Sequence, residues 1–272
     1  MKKQASSKRR TTKELTAPAR IVRKIYRELS RSWGPQHWWP AETPFEVIVG
    51  AILTQNTSWT NVERAIASLR TAGRLSIDGI RTAELVDLEQ LVRPSGYFRQ
   101  KAKRLKDFVV FVDAQYGGSL VAMLATPTPG LREELLALKG IGPETADSIL
   151  LYAGHHPIFV VDAYTRRVLE RHDAIGAKAK YDEIRELVEE ALSRADPKVV
   201  DASVLLDPRR PSVHEPSAMS TAAKSELAQR YNEMHGLFVQ AGKHHCLKQN
   251  PKCEVCPLGP MLKRESRAKS RV

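Results

Sequence analysis

The stretch Leu138-Lys139-Gly140-Ile141-Gly142-Pro143-Glu144-Thr145-Ala146-Asp147 constrains this chain more than any other. A helix covering residues 131–138 is broken by Gly140 and Gly142, and a second begins with Pro143 in its first turn. Gly-x-Gly permits a tight turn with positive φ, and proline is tolerated at a helix start because its missing N–H had no partner there. The backbone N–H groups of such a turn, at the positive end of a helix, form an anion site that suits one phosphate. Lys139 adds a mobile charge beside it. The second helix runs through Ile149, Leu150 and Leu151 to Gly154, a residue type preferred just past a helix end. The apolar run Ile158-Phe159-Val160-Val161 then delivers Asp162 to the start of another helix carrying Tyr164, Arg166, Arg167 and Leu169. Taken alone, Asp162 reads as a simple N-cap.

The remaining chain alternates helical patterns with short turns. Ile21, Ile25 and Leu29 form one apolar stripe, ended by Gly34-Pro35. Trp38-Trp39-Pro40 follows with no helical or strand period, and its adjacent indoles suit either a plug at a domain seam or a stacking wall for a base. Residues 45–54 predict an apolar helix buried on most sides. It leads through Gln55-Asn56-Thr57-Ser58-Trp59, where Thr57 or Ser58 suits a cap, into a helix with Val62, Ala65, Ile66 and Leu69 facing inward. Further helices are predicted around 83–92, after the turn Arg93-Pro94-Ser95-Gly96, and over 163–172, 181–195 and 221–241. In the helix after that turn, Lys101, Lys103, Arg104 and Lys106 lie mainly outside the stripe of Ala102, Leu105, Phe108, Val109 and Val112, as a solvated basic face. Pro and polar residues over 205–219 read as an exposed loop. No convincing set of alternating strands occurs, and the fold class is all-α.

The 272 residues carry a formal net charge of +12, which favours a polyanionic partner. Basic residues crowd both ends, and residues 1–18 and 263–272 read as disordered basic tails capable of weak, salt-dependent contact with DNA. No apolar run approaches a membrane span and no signal-peptide core follows the basic N-terminus, so a cytoplasmic location without membrane contact is the expectation. The three cysteines all fall within 246–256, which argues against a disulfide framework.

The combination LKGIGPETAD with VVDAYTRRV resembles the endonuclease III superfamily of DNA glycosylases, which couple a helix-hairpin-helix to a Gly/Pro-rich loop and an essential aspartate. The segments WWP, GAILTQNTSW, VRPSGYFRQKAKRL, KGIGPETADSILLYA and VVDAY look most like the bacterial 3-methyladenine DNA glycosylases of that superfamily, through most of residues 36–165. The resemblance implies a two-lobed fold with the active-site cleft between lobes. Residues 44–154 would form the central lobe with the hairpin, and residues 19–43 plus 155–262 the other, ending in the cysteine loop. It places the catalytic aspartate on Asp162 and the phosphate grip on Lys139, Gly140, Ile141 and Gly142. It makes Asn56 the residue that fills the gap left by a flipped base, with Gln55 its neighbour. A base pocket would be walled by Trp38, Trp39 and Pro40 on one side and Trp59 on the other, with Glu144 either a helix-start acid or a contact to the substrate site. Trp59 departs from the smaller aromatic ring of that subgroup, which puts pocket width in doubt.

Glu144 stands where bifunctional relatives carry a catalytic lysine, so the resemblance implies a monofunctional enzyme acting on double-stranded DNA, as a monomer, without a cofactor for the chemistry. Cys246, Cys253 and Cys256 reproduce three of the four positions of the family's iron–sulfur loop, and the fourth position is Leu262. Three states stay open for this loop: a structural [4Fe–4S] cluster with a non-cysteine ligand such as His244 or His245, a zinc ion held by Cys3His, or ordinary thiols. Two other functions also stay open, an endonuclease III-like glycosylase with AP-lyase or mismatch activity and a non-catalytic DNA-binding module. Asp162 argues against the module and Glu144 against the lyase.

Overall fold

A computed structural model describes residues 14–194 and 214–262. Most of both basic tails and of the Pro-rich loop fall outside these residues. Among the described residues every regular element is helical.

Helix α1 spans Ala17–Trp33. It starts inside the expected tail because Thr16 accepts from the Ala19 N–H at 3.3 Å and Pro18 sits in the first turn, where its missing N–H costs nothing. Helix α2, Pro44–Leu53, is capped by Thr43 and buried from Phe45 to Leu53. Each large side chain in such a helix gains about 1.5–3 kcal/mol from burial, so α2 serves as an internal post. Helix α3 is Trp59–Thr71. Neither expected cap operates there: Ser58 occupies the N-cap position without a side-chain bond, and Thr57 Oγ1 accepts instead from Asn61 Nδ2 at 3.2 Å.

The expected helix around 83–92 is α5 (Leu85–Leu91), and an unforeseen α4 (Ile77–Thr82) precedes it, with Ser76 capping α4 through the Gly79 N–H at 2.9 Å. Helix α6 is Phe98–Tyr116, α7 Leu120–Leu124 and α8 Thr128–Ala137. Helix α9, Pro143–Ser148, continues into a wider π turn at Ile149–Ala153 and ends at Gly154 in an ordinary right-handed conformation, not the left-handed one that favours glycine. Helices α10 (Ala163–Arg171) and α11 (Tyr181–Leu192) follow. A short α12, Ala218–Thr221, precedes α13, Glu226–His244, whose start is shifted C-terminally by the Ser225 cap.

The basic face expected on α6 is mostly not a solvated face. Lys101 is fully buried and its Nζ donates to the carbonyls of Leu53 at 2.8 Å and Ser95 at 2.7 Å, so it caps the end of α2 from a distance. Burial first, and the charge of Arg104 second, lower its ammonium to about 8. Lys106 donates to Arg81 O at 2.9 Å, and Arg104 turns toward the hairpin. Lys103 alone of the four is exposed, paired with Asp107.

Packing sorts the helices by contact, not by chain order. Helix α2 packs on α3, α6, α9 and the π turn, while α4 and α5 lie on α6 and α8 lies on α9. Although first in the chain, α1 packs on α11 and α13, and α10 packs on α13. The two groups meet where α13 touches the π turn, and the cleft described next opens between them.

Candidate active site

The cleft has a volume of about 900 Å³ and gathers residues from 38 to 243. One edge is the hairpin turn. Gly140 has φ +87°, a conformation that glycine alone adopts freely, whereas Gly142 at φ −94° does not need it. One glycine of the Gly-x-Gly pair therefore carries the turn. Gly140 also has a steric reason to lack a side chain, since a Cβ there would stand 2.2 Å from Arg104 Nε. Gln55 Nε2 donates to Gly140 O and to Thr145 Oγ1, each at 2.9 Å, and Arg104 donates to Gln55 Oε1. The α2–α3 loop, α6 and the hairpin are thus tied through one amide. Gly140 and Gly142 line the cleft; Lys139 is exposed beside it and Ile141 is buried behind it, and neither is part of the lining. Gly140→Ala should keep the helices but strain the turn and evict Arg104, weakening duplex binding by about tenfold, roughly 1.4 kcal/mol. Fluorescence anisotropy with labelled duplex checks this, and an unchanged affinity would exclude the turn from DNA contact.

Asn56, next to the tethered Gln55, is exposed at φ +54° on the cleft lining. Asn is among the few side chains that tolerate this left-handed geometry. Its amide is consequently presented to the cleft, whereas that of Gln55 is committed to the hairpin.

The opposite wall is aromatic. Trp38 and Trp39 are buried, and their ring centroids lie 6.5 and 5.0 Å from Trp59. Trp39 meets Trp59 edge to face at 88°, and Tyr152 supports Trp39 from 5.1 Å. An aromatic base sandwiched between two rings needs carbon contacts of about 3.5–4 Å on both sides, hence about 7–8 Å between parallel rings. No such slot is open between the expected walls, because the indoles pack on one another. Pro40 is half-buried and outside the lining.

Asp162 sits at the floor. Its Oδ1 accepts from the Thr165 N–H at 2.7 Å, so it is the N-cap of α10. Its Oδ2 is left toward the cleft and lies 3.6 Å from His235 Nε2. The cap and a role in chemistry are compatible, since one oxygen serves each.

Glu144 lies in the first turn of α9 on the cleft lining. Its side chain is open to cleft water yet crowded by protein on its other sides. Burial first, and the charge of Asp162 second, push its carboxyl from 4.5 to about 7. A carboxyl raised by folding supports the fold below its unfolded value and withdraws that support as pH rises through its folded value. Stability should therefore decline between pH 4.5 and about 7. Glu144→Gln removes this dependence, so its melting temperature should exceed that of the parent above pH 7 and match it below 4.5. Parallel thermal melts test this, and a constant difference across pH would contradict it.

Sequence reasoning passed over Tyr152, Lys243 and His235, and it read Arg104 only as part of the basic face of α6. Tyr152 and His235 are buried among apolar residues, and Lys243 closes the cleft from the last turns of α13. The one available signal was a histidine on the inward face of an apolar helix, which alone reads as core.

The cysteine loop lies outside the cleft lining. Among the described residues no three of His, Cys, Asp and Glu converge into a metal-holding set. Arg171 donates to Cys246 Sγ at 3.1 Å, the His245 ring stacks on Trp33 at 5.3 Å, and buried Leu262 fills the position of the family's fourth thiolate. These residues do not fit a four-ligand cluster, and no step below is routed through a metal.

The model of the HhH-GPD superfamily base excision DNA repair protein matches residues 49–194, more than half of the chain, including Asn56, Glu144 and Asp162. A protein of Methanocaldococcus jannaschii that carries the name putative DNA repair glycosylase is 42% identical over 88% of this chain and 94% of its own length. Endonuclease III of Thermotoga maritima is 26% identical over 87% and 89%. Among solved structures, the Helicobacter pylori 3-methyladenine DNA glycosylase bound to 1,N6-ethenoadenine superposes with TM-score 0.64 at 30% identity, covering 84% of this chain and 98% of that one. A non-covalent endonuclease III–DNA complex matches in fold, with TM-score 0.68 at 20% identity over 95% of this chain and 100% of the other. The all-helical fold around the hairpin turn, the aspartate behind it and a family match spanning both make this chain a member of the HhH-GPD superfamily of base excision DNA repair proteins.

Proposed function

We propose that the protein is a monofunctional DNA glycosylase that binds damaged double-stranded DNA as a monomer, flips the target nucleotide out, and hydrolyses the N-glycosidic bond of alkylated purines of the 3-methyladenine type. The observation that carries this reading is the pairing, in one cleft, of an indole wall with two carboxylates, Asp162 and Glu144. An N-alkylated purine is a cation and a good leaving group, so it is drawn to electron-rich rings and to negative charge without an elaborate acid. The likeness to a 3-methyladenine DNA glycosylase solved with 1,N6-ethenoadenine supports the same choice.

A glycosylase extrudes its target before it can reach the sugar. Asn56 enters the vacated space from its left-handed turn, and the hairpin grips a phosphate. The base lies against the indole cluster, where Trp59, the half-buried member, yields to admit it. As the bond to the base breaks, positive charge develops on the sugar, and the Asp162 carboxylate stabilises it and orients the attacking water.

Release of free 3-methyladenine from methylated duplex DNA, measured chromatographically, tests the reaction. Absence of release while the protein binds the duplex would overturn it. A second reading rests on Lys243, whose amine lines the same cleft. A lyase needs such an amine at the sugar carbon. Borohydride treatment with abasic DNA should give no covalent adduct; a strong adduct lost in Lys243→Ala would replace the monofunctional reading with the lyase.

A further inference from the structure

His235 is buried in α13, 4% exposed, and boxed by Trp38, Tyr152 and Phe159 at centroid distances of 6.0, 5.8 and 6.3 Å. Its Nδ1 is 2.7 Å from the Tyr152 hydroxyl. Its Nε2 has no hydrogen-bond partner and faces Asp162 Oδ2 at 3.6 Å. We propose that His235 is a positioning residue for the glycosylase reaction: Tyr152 fixes its neutral Nε2–H tautomer, and that N–H holds the Asp162 carboxylate, still anionic, under the sugar. The inference rests on the glycosylase reading of the same cleft.

The charges choose the tautomer. If Nδ1 carried the proton, the Nε2 lone pair would face a carboxylate oxygen in a poorly hydrated site, and the two would repel. If the tyrosine hydroxyl donates to Nδ1, Nε2 carries the hydrogen and points it at the anion. Burial also holds the imidazole below its ordinary range, against the opposing pull of Asp162, which keeps the ring neutral. A neutral donor orients Asp162 without cancelling the charge that must stabilise the oxocarbenium ion; an imidazolium would cancel it. The 3.6 Å gap exceeds a direct hydrogen bond by a few tenths of an ångström, and catalytic bonds of this kind commonly tighten only when substrate binds. With Oδ1 fixed by the Thr165 N–H and Oδ2 by His235, the carboxylate can no longer rotate. Leaving such a donor buried and unpaired is costly.

Two measurements decide this. Long-range proton–nitrogen NMR of the free protein at neutral pH should show His235 protonated at Nε2 and not at Nδ1; the other tautomer or an imidazolium overturns the inference. In single-turnover base release at saturating enzyme, His235→Leu should slow the chemical step by about tenfold or more, with affinity for abasic duplex retained. His235→Gln, whose amide can accept from Tyr152 and donate to Asp162, should recover most of the loss. A His235→Leu rate within about twofold of the parent overturns the inference. Should His235→Leu not fold, Tyr152→Phe keeps the ring packing and removes only the hydroxyl; unchanged rate and tautomer in that variant are equally fatal. If the parent releases no base from methylated duplex, the substrate reading fails by itself, and the NMR result still decides the tautomer.

Discussion

Asp162→Asn should abolish most base release while keeping the helix cap, at a small cost in stability because the amide nitrogen that replaces Oδ2 faces His235 Nε2. Removing one preorganised group that stabilises charge in a transition state typically costs about 10²–10³ in rate, and a whole anion beside an oxocarbenium ion belongs at the upper end. The cap is kept because Asn is as good an N-cap as Asp, so its side-chain oxygen keeps the 2.7 Å bond to the Thr165 N–H. The substitution also relieves the repulsion that helps raise Glu144, whose carboxyl should then fall part of the way back, burial being the larger cause. Free base measured in single turnover, beside a thermal melt, separates the two effects. A mutant that releases base at the parental rate would remove Asp162 from the mechanism; one that loses activity together with its melting transition would make Asp162 only a cap.

Arg132→Leu should produce the largest loss of stability. Asp147, on α9 directly behind the hairpin turn, is completely buried, and Arg132 of α8 grips both its oxygens at 2.7 and 3.2 Å. The same guanidinium reaches Asp182 of α11 at 2.9 Å, so the pair ties the hairpin to the other group of helices. Breaking a buried pair by deleting one partner costs about 3–5 kcal/mol because a charge is left uncompensated, and the lower figure applies here since Arg132 keeps some solvent contact. Burial already lifts the Asp147 carboxyl, and Arg132 pulls it down. Without Arg132 it rises further, so in mildly acid buffer Asp147 takes a proton and the uncompensated charge disappears. A carboxyl raised in the folded state loses its stabilising contribution as pH rises through that value, hence the deficit should grow from acid to alkaline buffer. Urea denaturation at both ends tests this; a deficit independent of pH would mean that lost packing, not charge, is the cause.

Much of the fold was legible because helix limits are local matters. Gly140 and Pro143 separate α8 from α9, and Gly34 ends α1, through backbone preferences that need no distant partner. Misplaced limits arose where a side chain chose a different local partner, as with Thr57 and Asn61, or where Ser76 began a helix in a segment of weak apolar period. Lys101 was assigned to a solvated face since its position on α6 lies outside the main stripe; the carbonyls that claim it belong to Leu53 and Ser95.

The sequence by itself determined the all-helical class, the hairpin turn, and Asp162 as the cap of a helix, since each follows from short-range sterics and capping. Only the tertiary structure decided what that aspartate faces. Tyr152 and His235 are 83 residues apart, and each reads in isolation as core. Packing of α13 against the π turn brings them together beside Asp162, and closes the three indoles into a cluster where the sequence suggested an open slot. Capping is written in neighbouring residues, whereas the partner of a buried polar atom is set by which helices come to share a core.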